Sequence, residues 1–218
     1  MAKHEVHVEL KGRGRMSVTA VYSEATFKRI VEDAIFFRKK AGGDGIDETE
    51  RKRYSRVVIL LTAFYLESLA NRLCDAVLGK DWKVPKKNKE KGVAEVIIKF
   101  RAVHSKLCDK ELALCTDGIQ DIFTIRNKVI AHPAGRAQLR SGTGKWNRID
   151  KEVSYKKFTR FSLVYSDFNL EHTDAVLIEV KDFLTSLFDL LQGKVSQELL
   201  DECQPKELVE WTKKVPKH

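Results

Sequence analysis

The sequence predicts an all-α protein: a helical bundle of four to five core helices, with a small N-terminal β-hairpin and a long basic excursion between helices four and five. Three observations carry this expectation. Apolar residues recur every three to four positions over most of the chain after Ser23. Strict apolar–polar alternation, the mark of a half-buried strand, is confined to residues 1–22. Glycine or proline stands at the end of nearly every periodic stretch. With 218 residues the chain reads as a single domain, in which 1–22 is a hairpin appendage, 47–191 the helical core and 192–218 a set of short C-terminal helices.

The elements follow in order. Val6, Val8 and Leu10 alternate with His7, Glu9 and Lys11, and a second alternating run reaches Val21 after the Gly12-Arg13-Gly14 turn. Helix one is expected over Ser23–Lys40, ending at Gly42-Gly43. Helix two opens at Asp47, with Glu50 three residues on as in a capping box, and stops at Gly79. It is apolar almost all round between Val57 and Ala70, so it is expected to be central. Helix three spans Val93–Leu107. Helix four starts near Asp117, with Gln120 as the reciprocal partner of its cap, and ends at His132 because Pro133 follows. Residues 134–169 form the long excursion, with a possible strand over Phe158–Tyr165. Helix five covers Thr173–Leu191, and short helices follow around Ser196 and Lys206.

Charge and composition narrow the function classes. The net charge of +9 favours a polyanionic partner, most simply nucleic acid. No run of about 18 apolar residues exists, so no membrane association is expected, and the N-terminus lacks the apolar core of a signal peptide. Cys74, Cys108, Cys115 and Cys203 form no C-x-x-C pair and no zinc-ligand spacing, which reads as reduced thiols in a cytoplasmic protein. His4 and His7 lie close together in the first strand and read as surface residues.

Two charged residues occupy apolar stripes. On helix four, Ile119, Ile122, Phe123, Val129 and Ile130 form one stripe at 100° per residue, and Arg126 stands at its centre. A guanidinium there needs a carboxylate, a phosphate or a wet cleft. On helix two, Leu60, Ala63, Phe64, Ala70, Cys74 and Leu78 surround Glu67, with Asn71 beside it. A buried Glu67 and a buried Arg126 are natural partners. The periodicity leaves three readings open: a structural ion pair that fixes register, a His132 placed at the helix C-terminus to suit the helix dipole, or a site in which Arg126, Asn127 and His132 do chemistry. Histidine titrates near neutrality and arginine suits phosphate, so the third reading has a chemical rationale.

Arg126, Asn127 and His132, with five residues between Arg and His near a helix end, resemble the signature of HEPN domains. The stretch Tyr65-Leu66-Glu67-Ser68-Leu69-Ala70-Asn71 resembles the second helix of that family, which often carries an acidic residue facing the site. The resemblance covers residues 47–191. It implies an all-α bundle, a homodimer with a composite site between two motif helices, and a metal-independent ribonuclease of toxin–antitoxin, abortive-infection or related defence systems, with no cofactor. It also implies that His132 acts as general base or acid and Arg126 neutralises the phosphate. Asn127 would bind phosphate or orient the histidine, with Glu67 and Asn71 supporting from helix two. An antitoxin protein is a possible further partner. Pro133 and Ala134 follow the histidine, so the tyrosine that an antitoxin modifies in one subset of the family is missing here.

Two basic stretches are expected to recruit RNA. The first holds Lys83, Lys86 and Lys87 beside Trp82. The second begins just after His132 and holds Arg136, Arg140, Lys145 and Arg148, with Trp146 interleaved. Lysine and arginine supply salt-dependent phosphate affinity, and aromatic rings stack on unpaired bases.

Overall fold

A computed structural model describes residues 4–8, 18–22, 26–85, 93–108, 116–131, 138–140, 146–148 and 169–213. The described chain is mostly helical. Its helices are α1 (Thr26–Ala41), α2 (Glu48–Val77), α3 (Glu95–Leu107), α4 (Asp117–Ile125), α5 (Leu170–Leu191), α6 (Gln197–Cys203) and α7 (Lys206–Thr212). A π-helical segment, Arg126–Ala131, continues α4 without a break. Two antiparallel ladders are described by their backbones: β1 (His4–Val8) with β2 (Val18–Tyr22), and β3 (Gln138–Arg140) with β4 (Trp146–Arg148). The β3–β4 pair falls where the sequence pattern gave only an irregular excursion. The possible strand at Phe158–Tyr165 lies outside the described residues.

Local chemistry sets the helix ends. The Asp47 carboxylate accepts the Glu50 backbone N–H at 2.8 Å, the Asn169 side chain accepts that of His172 at 2.9 Å, and the Ser196 hydroxyl accepts that of Leu199 at 3.3 Å. Each contact satisfies one donor that the first helical turn leaves orphaned. Helix α2 stops where Gly79 takes φ 97°, a conformation that a side chain would strain. Helix α4 departs from expectation at its start, where Thr116 makes no side-chain cap. The Gln120 amide does not turn back to a cap: its oxygen accepts the Ala94 N–H at 2.8 Å, and its nitrogen donates to the Thr124 hydroxyl. Gln120 thus ties the start of α3 to α4, because the Ala94 N–H just before α3 offers a donor in reach.

Helix α2 is the axis of the molecule, with α1, α3 and α5 packed on it and the π segment alongside. Its buried side runs through Ile59, Thr62, Leu66, Leu69 and Leu73. It meets Ile97 and Phe100 of α3, Ile122 of α4, and Leu177 and Val180 of α5, all buried. Each such side chain contributes about 1.5–3 kcal/mol when removed from water. The Phe100 and Phe183 rings pack edge to face at 5.0 Å between centroids. Three polar ties bind the C-terminal half to this core. Arg38 pairs with both oxygens of Asp174, Arg72 grips both oxygens of Glu202 at 2.9 and 2.8 Å, and the buried Tyr65 hydroxyl donates to the Cys203 carbonyl at 3.0 Å.

One sequence expectation for α2 needs correction. The stripe centred on Glu67 is only in part the core face: Ala63, Ala70 and Cys74 are buried, but Phe64 is 41% exposed, and Leu60, Glu67 and Leu78 are half-buried. The buried face lies to one side of Glu67 and includes Leu66, Leu69 and Leu73. A helix that is apolar on nearly every side has no periodicity to choose its face, so its neighbours choose it. Over an 18-residue window, helix α2 is also long and apolar enough to cross a membrane, by length and composition alone. Within that window 56% of the residues are buried against the rest of the protein, as in the core helix of a globular domain.

Candidate functional site

The candidate site forms where α4 changes into the π segment. Ile119, Ile122, Phe123 and Ile125 are buried and anchor α4 in the core. The Arg126 N–H reaches the carbonyls of both Ile122 and Phe123, a shared bond that marks the transition. From there the helix widens to i→i+5 bonding, so residues after Arg126 no longer advance by 100° each. Ile130 still packs against the core, while Asn127 faces solvent. Wide turns of this kind occur often at functional sites, where they re-aim side chains.

Arg126 is held from three sides. Its Nη2 lies 3.1 Å from the Glu67 carboxylate on α2. Its guanidinium stands 5.1 Å from the centroid of Phe64 and 5.7 Å from that of Phe123. The partners expected from sequence are therefore in contact, but not as a buried pair: the side chains are 22% and 43% exposed. The pair sits at the rim of the core, where water still reaches it. That solvates the charges and limits the ion pair to about 1 kcal/mol or less. The two rings add a cation–π contact of about 0.5–1 kcal/mol and fix the plane of the fork. Among the described residues no other acceptor holds the guanidinium, so several of its five N–H groups remain for an oxyanion. Phosphate arriving there would share Arg126 with Glu67 or displace it.

Of the remaining expected site residues, His132 lies outside the described residues. Asn71 is exposed and turned to another task, its carbonyl oxygen accepting Lys99 Nζ at 2.8 Å. Lys99 also pairs with Glu95 at 3.2 Å, so Asn71 belongs to the α2–α3 contact and not to the Arg126 cluster. Lys83 is exposed. Lys86, Lys87, Arg136 and Lys145 lie outside the described residues. In the second ladder Arg140 pairs with Trp146, and Gln138 with Arg148. With the two-residue period of a strand, Arg140, Trp146 and Arg148 occupy positions on one face of the ladder.

Sequence reasoning missed three residues. The stripe pattern gives Phe64 and Phe123 packing roles alone, yet both hold the guanidinium, and Phe64 does so from the surface. Asp121 is a carboxylate only 1% exposed, set among the buried Gly118, Ile122 and Ile125. Its place four residues before Ile125 was the available signal, obscured because an acidic residue early in a helix ordinarily serves the macrodipole. Burial also marks the thiols: it pushes Cys74 up to about 11 and Cys203 up to about 12, so both are poor nucleophiles at neutral pH.

No family model, curated protein or solved structure matches this chain.

Proposed function

We propose that this protein is a HEPN-like, metal-independent endoribonuclease, a bundle of four to five core helices with an N-terminal hairpin and a long basic excursion, working in the cytoplasm in stress or phage defence. The observation that carries the reading is the cluster around Arg126: a clamped, partly solvated guanidinium with free donors, at a helical irregularity, six positions before a histidine. The net charge of +9 adds affinity for a polyanion.

In this reading His132 takes the proton from the ribose 2′-OH, and the 2′ oxygen attacks the adjacent phosphorus. The bond to the 5′ oxygen breaks, and that oxygen receives a proton from an acid. The products are a 2′,3′-cyclic phosphate and a 5′-hydroxyl. Arg126 binds the non-bridging oxygens as charge builds on them. A homodimer would bring a second histidine, and so both an acid and a base, to one cleft. Support for a dimer comes from Val57, Leu60 and Phe64, which lie along one side of α2 beside the site and are only partly covered. An antitoxin protein is a further proposed partner.

The test is cleavage of single-stranded and structured RNA in EDTA. Wild-type protein is expected to leave 2′,3′-cyclic ends, and His132→Ala and Arg126→Ala to lower the rate by about a hundredfold or more. Cleavage that survives in both variants would remove the assignment. A second reading, a non-catalytic dimerisation or RNA-binding module, draws on the Glu67 carboxylate that already occupies Arg126. RNA binding without cleavage by the wild type would favour it.

A further inference from the structure

A groove of about 300 Å³ runs between α1 and α7, formed by residues that the ribonuclease reading does not use. Glu32, Ile35, Phe36 and Lys39 of α1 line one wall, at the i, i+3, i+4, i+7 spacing of a single helix face. Glu207, Glu210 and Trp211 of α7 line the other. Its floor is apolar and its rim is acidic. Phe36 is 51% exposed, the largest exposure of any large hydrophobic side chain among the described residues.

Charge decides what this groove can accept. Three carboxylates face one lysine along its walls, while the chain as a whole carries +9. None of Glu32, Glu207 and Glu210 has an ion-pair partner among the described residues, so all three are available to an incoming cation. Beside Lys39, two further basic residues of α1 are already engaged: Arg38 with Asp174 and with the Trp211 ring at 5.8 Å, and Lys40 with the Phe36 ring at 5.5 Å. Those two contacts also show that the ring faces here accept cations. Nucleic acid is the wrong occupant, because a carboxylate rim repels phosphate.

The groove is also preformed. Leu208, between the two glutamates of α7, is fully buried and holds the helix down. The Arg38–Asp174 pair braces α1 against α5 beneath it. The volume is at the small end for a ligand site, enough for one bulky anchor side chain and too little for a large cofactor.

We infer that the α1–α7 groove is a docking site for a basic amphipathic segment of a partner protein, with an apolar side chain seated on Phe36 and Trp211 and lysines or arginines meeting Glu32, Glu207 and Glu210. The inference does not depend on ribonuclease activity.

The probe is a short fluorescent peptide carrying a leucine anchor flanked by lysine pairs, titrated into the full chain and followed by anisotropy. Binding is expected to weaken with salt and to fall by about tenfold or more in the double variant Glu207→Lys, Glu210→Lys, which corresponds to about 1.4 kcal/mol. Phe36→Ser is expected to weaken binding by a similar factor with little change in its salt dependence. Asp75→Lys, an exposed charge reversal on α2, leaves binding intact. All these positions are at the surface or half-exposed, and unchanged melting temperatures will show that the variants fold. The inference is overturned if a glutamate version of the peptide binds equally well or if the double variant binds normally. It is overturned equally if the peptide binds only after residues 214–218 are removed, which would make the chain's own tail the occupant, or if single-stranded RNA displaces it from the groove.

Discussion

Arg126 combines two properties that usually exclude each other: it is clamped, and it is still reachable. Glu67, Phe64 and Phe123 fix its plane, yet its side chain keeps 22% of its exposure. Because water solvates both partners, breaking the pair leaves no stranded buried charge. Arg126→Ala is therefore expected to lower stability by only about 1–2 kcal/mol, the sum of a rim ion pair and a cation–π contact. Urea unfolding measures this directly, and a loss of several kcal/mol would show that the pair is a structural element and not a site. Arg126→Lys keeps the charge but loses the planar fork, so it should retain stability better than RNA cleavage. The sequence located this residue and its partner from their places on two apolar helices. It misjudged their burial, because a stripe pattern gives direction around one helix and says nothing of what covers it.

The elements owe their limits to local chemistry and their faces to their neighbours. The start of α2 depends on one carboxylate, Asp47, accepting the Glu50 N–H at 2.8 Å. Asp47→Ala should cost about 1 kcal/mol, and Asp47→Asn should restore most of it. In a chain of this size that corresponds to a melting shift of about 2–4 °C, readable by calorimetry, and an unchanged transition would mean that packing alone fixes this helix end. The ends of α2 and α5 were legible because Gly79 and Gly193 follow them. The π segment was not legible. Its i→i+5 bonds depend on Ile130 reaching the core while Asn127 stays outside, a compromise between α4 and α2 that no local pattern encodes. The same holds for Gln120, whose side chain bonds to Ala94 of another element when a local cap was expected.

At the scale of the molecule, α2 carries the fold, and buried polar groups on α2 and α6 set the response to alkaline pH. Burial raises the Cys74 thiol to about 11, the Cys203 thiol to about 12 and the Tyr65 phenol well above its usual value. Above pH 9 the unfolded chain releases protons that the folded chain keeps, so stability falls as pH rises through this window. The slope approaches about 1.4 kcal/mol per pH unit for each thiol. Urea midpoints at pH 8 and pH 10 test this, and equal midpoints would show that these thiols are not held protonated by the fold. Charge is likewise uneven over the whole: an overall +9 coexists with an acidic α1–α7 groove. By itself the sequence determined the helical class, most helix limits, and the pairing of Arg126 with Glu67, because periodicity, caps and glycine stops act over a few neighbouring residues. Only the tertiary structure decided which side of α2 is core, that Phe64 stays at the surface under Arg126, and that α7 closes a groove on α1. Those outcomes depend on which distant surfaces cover which, and an all-round apolar helix such as α2 leaves that choice to its partners.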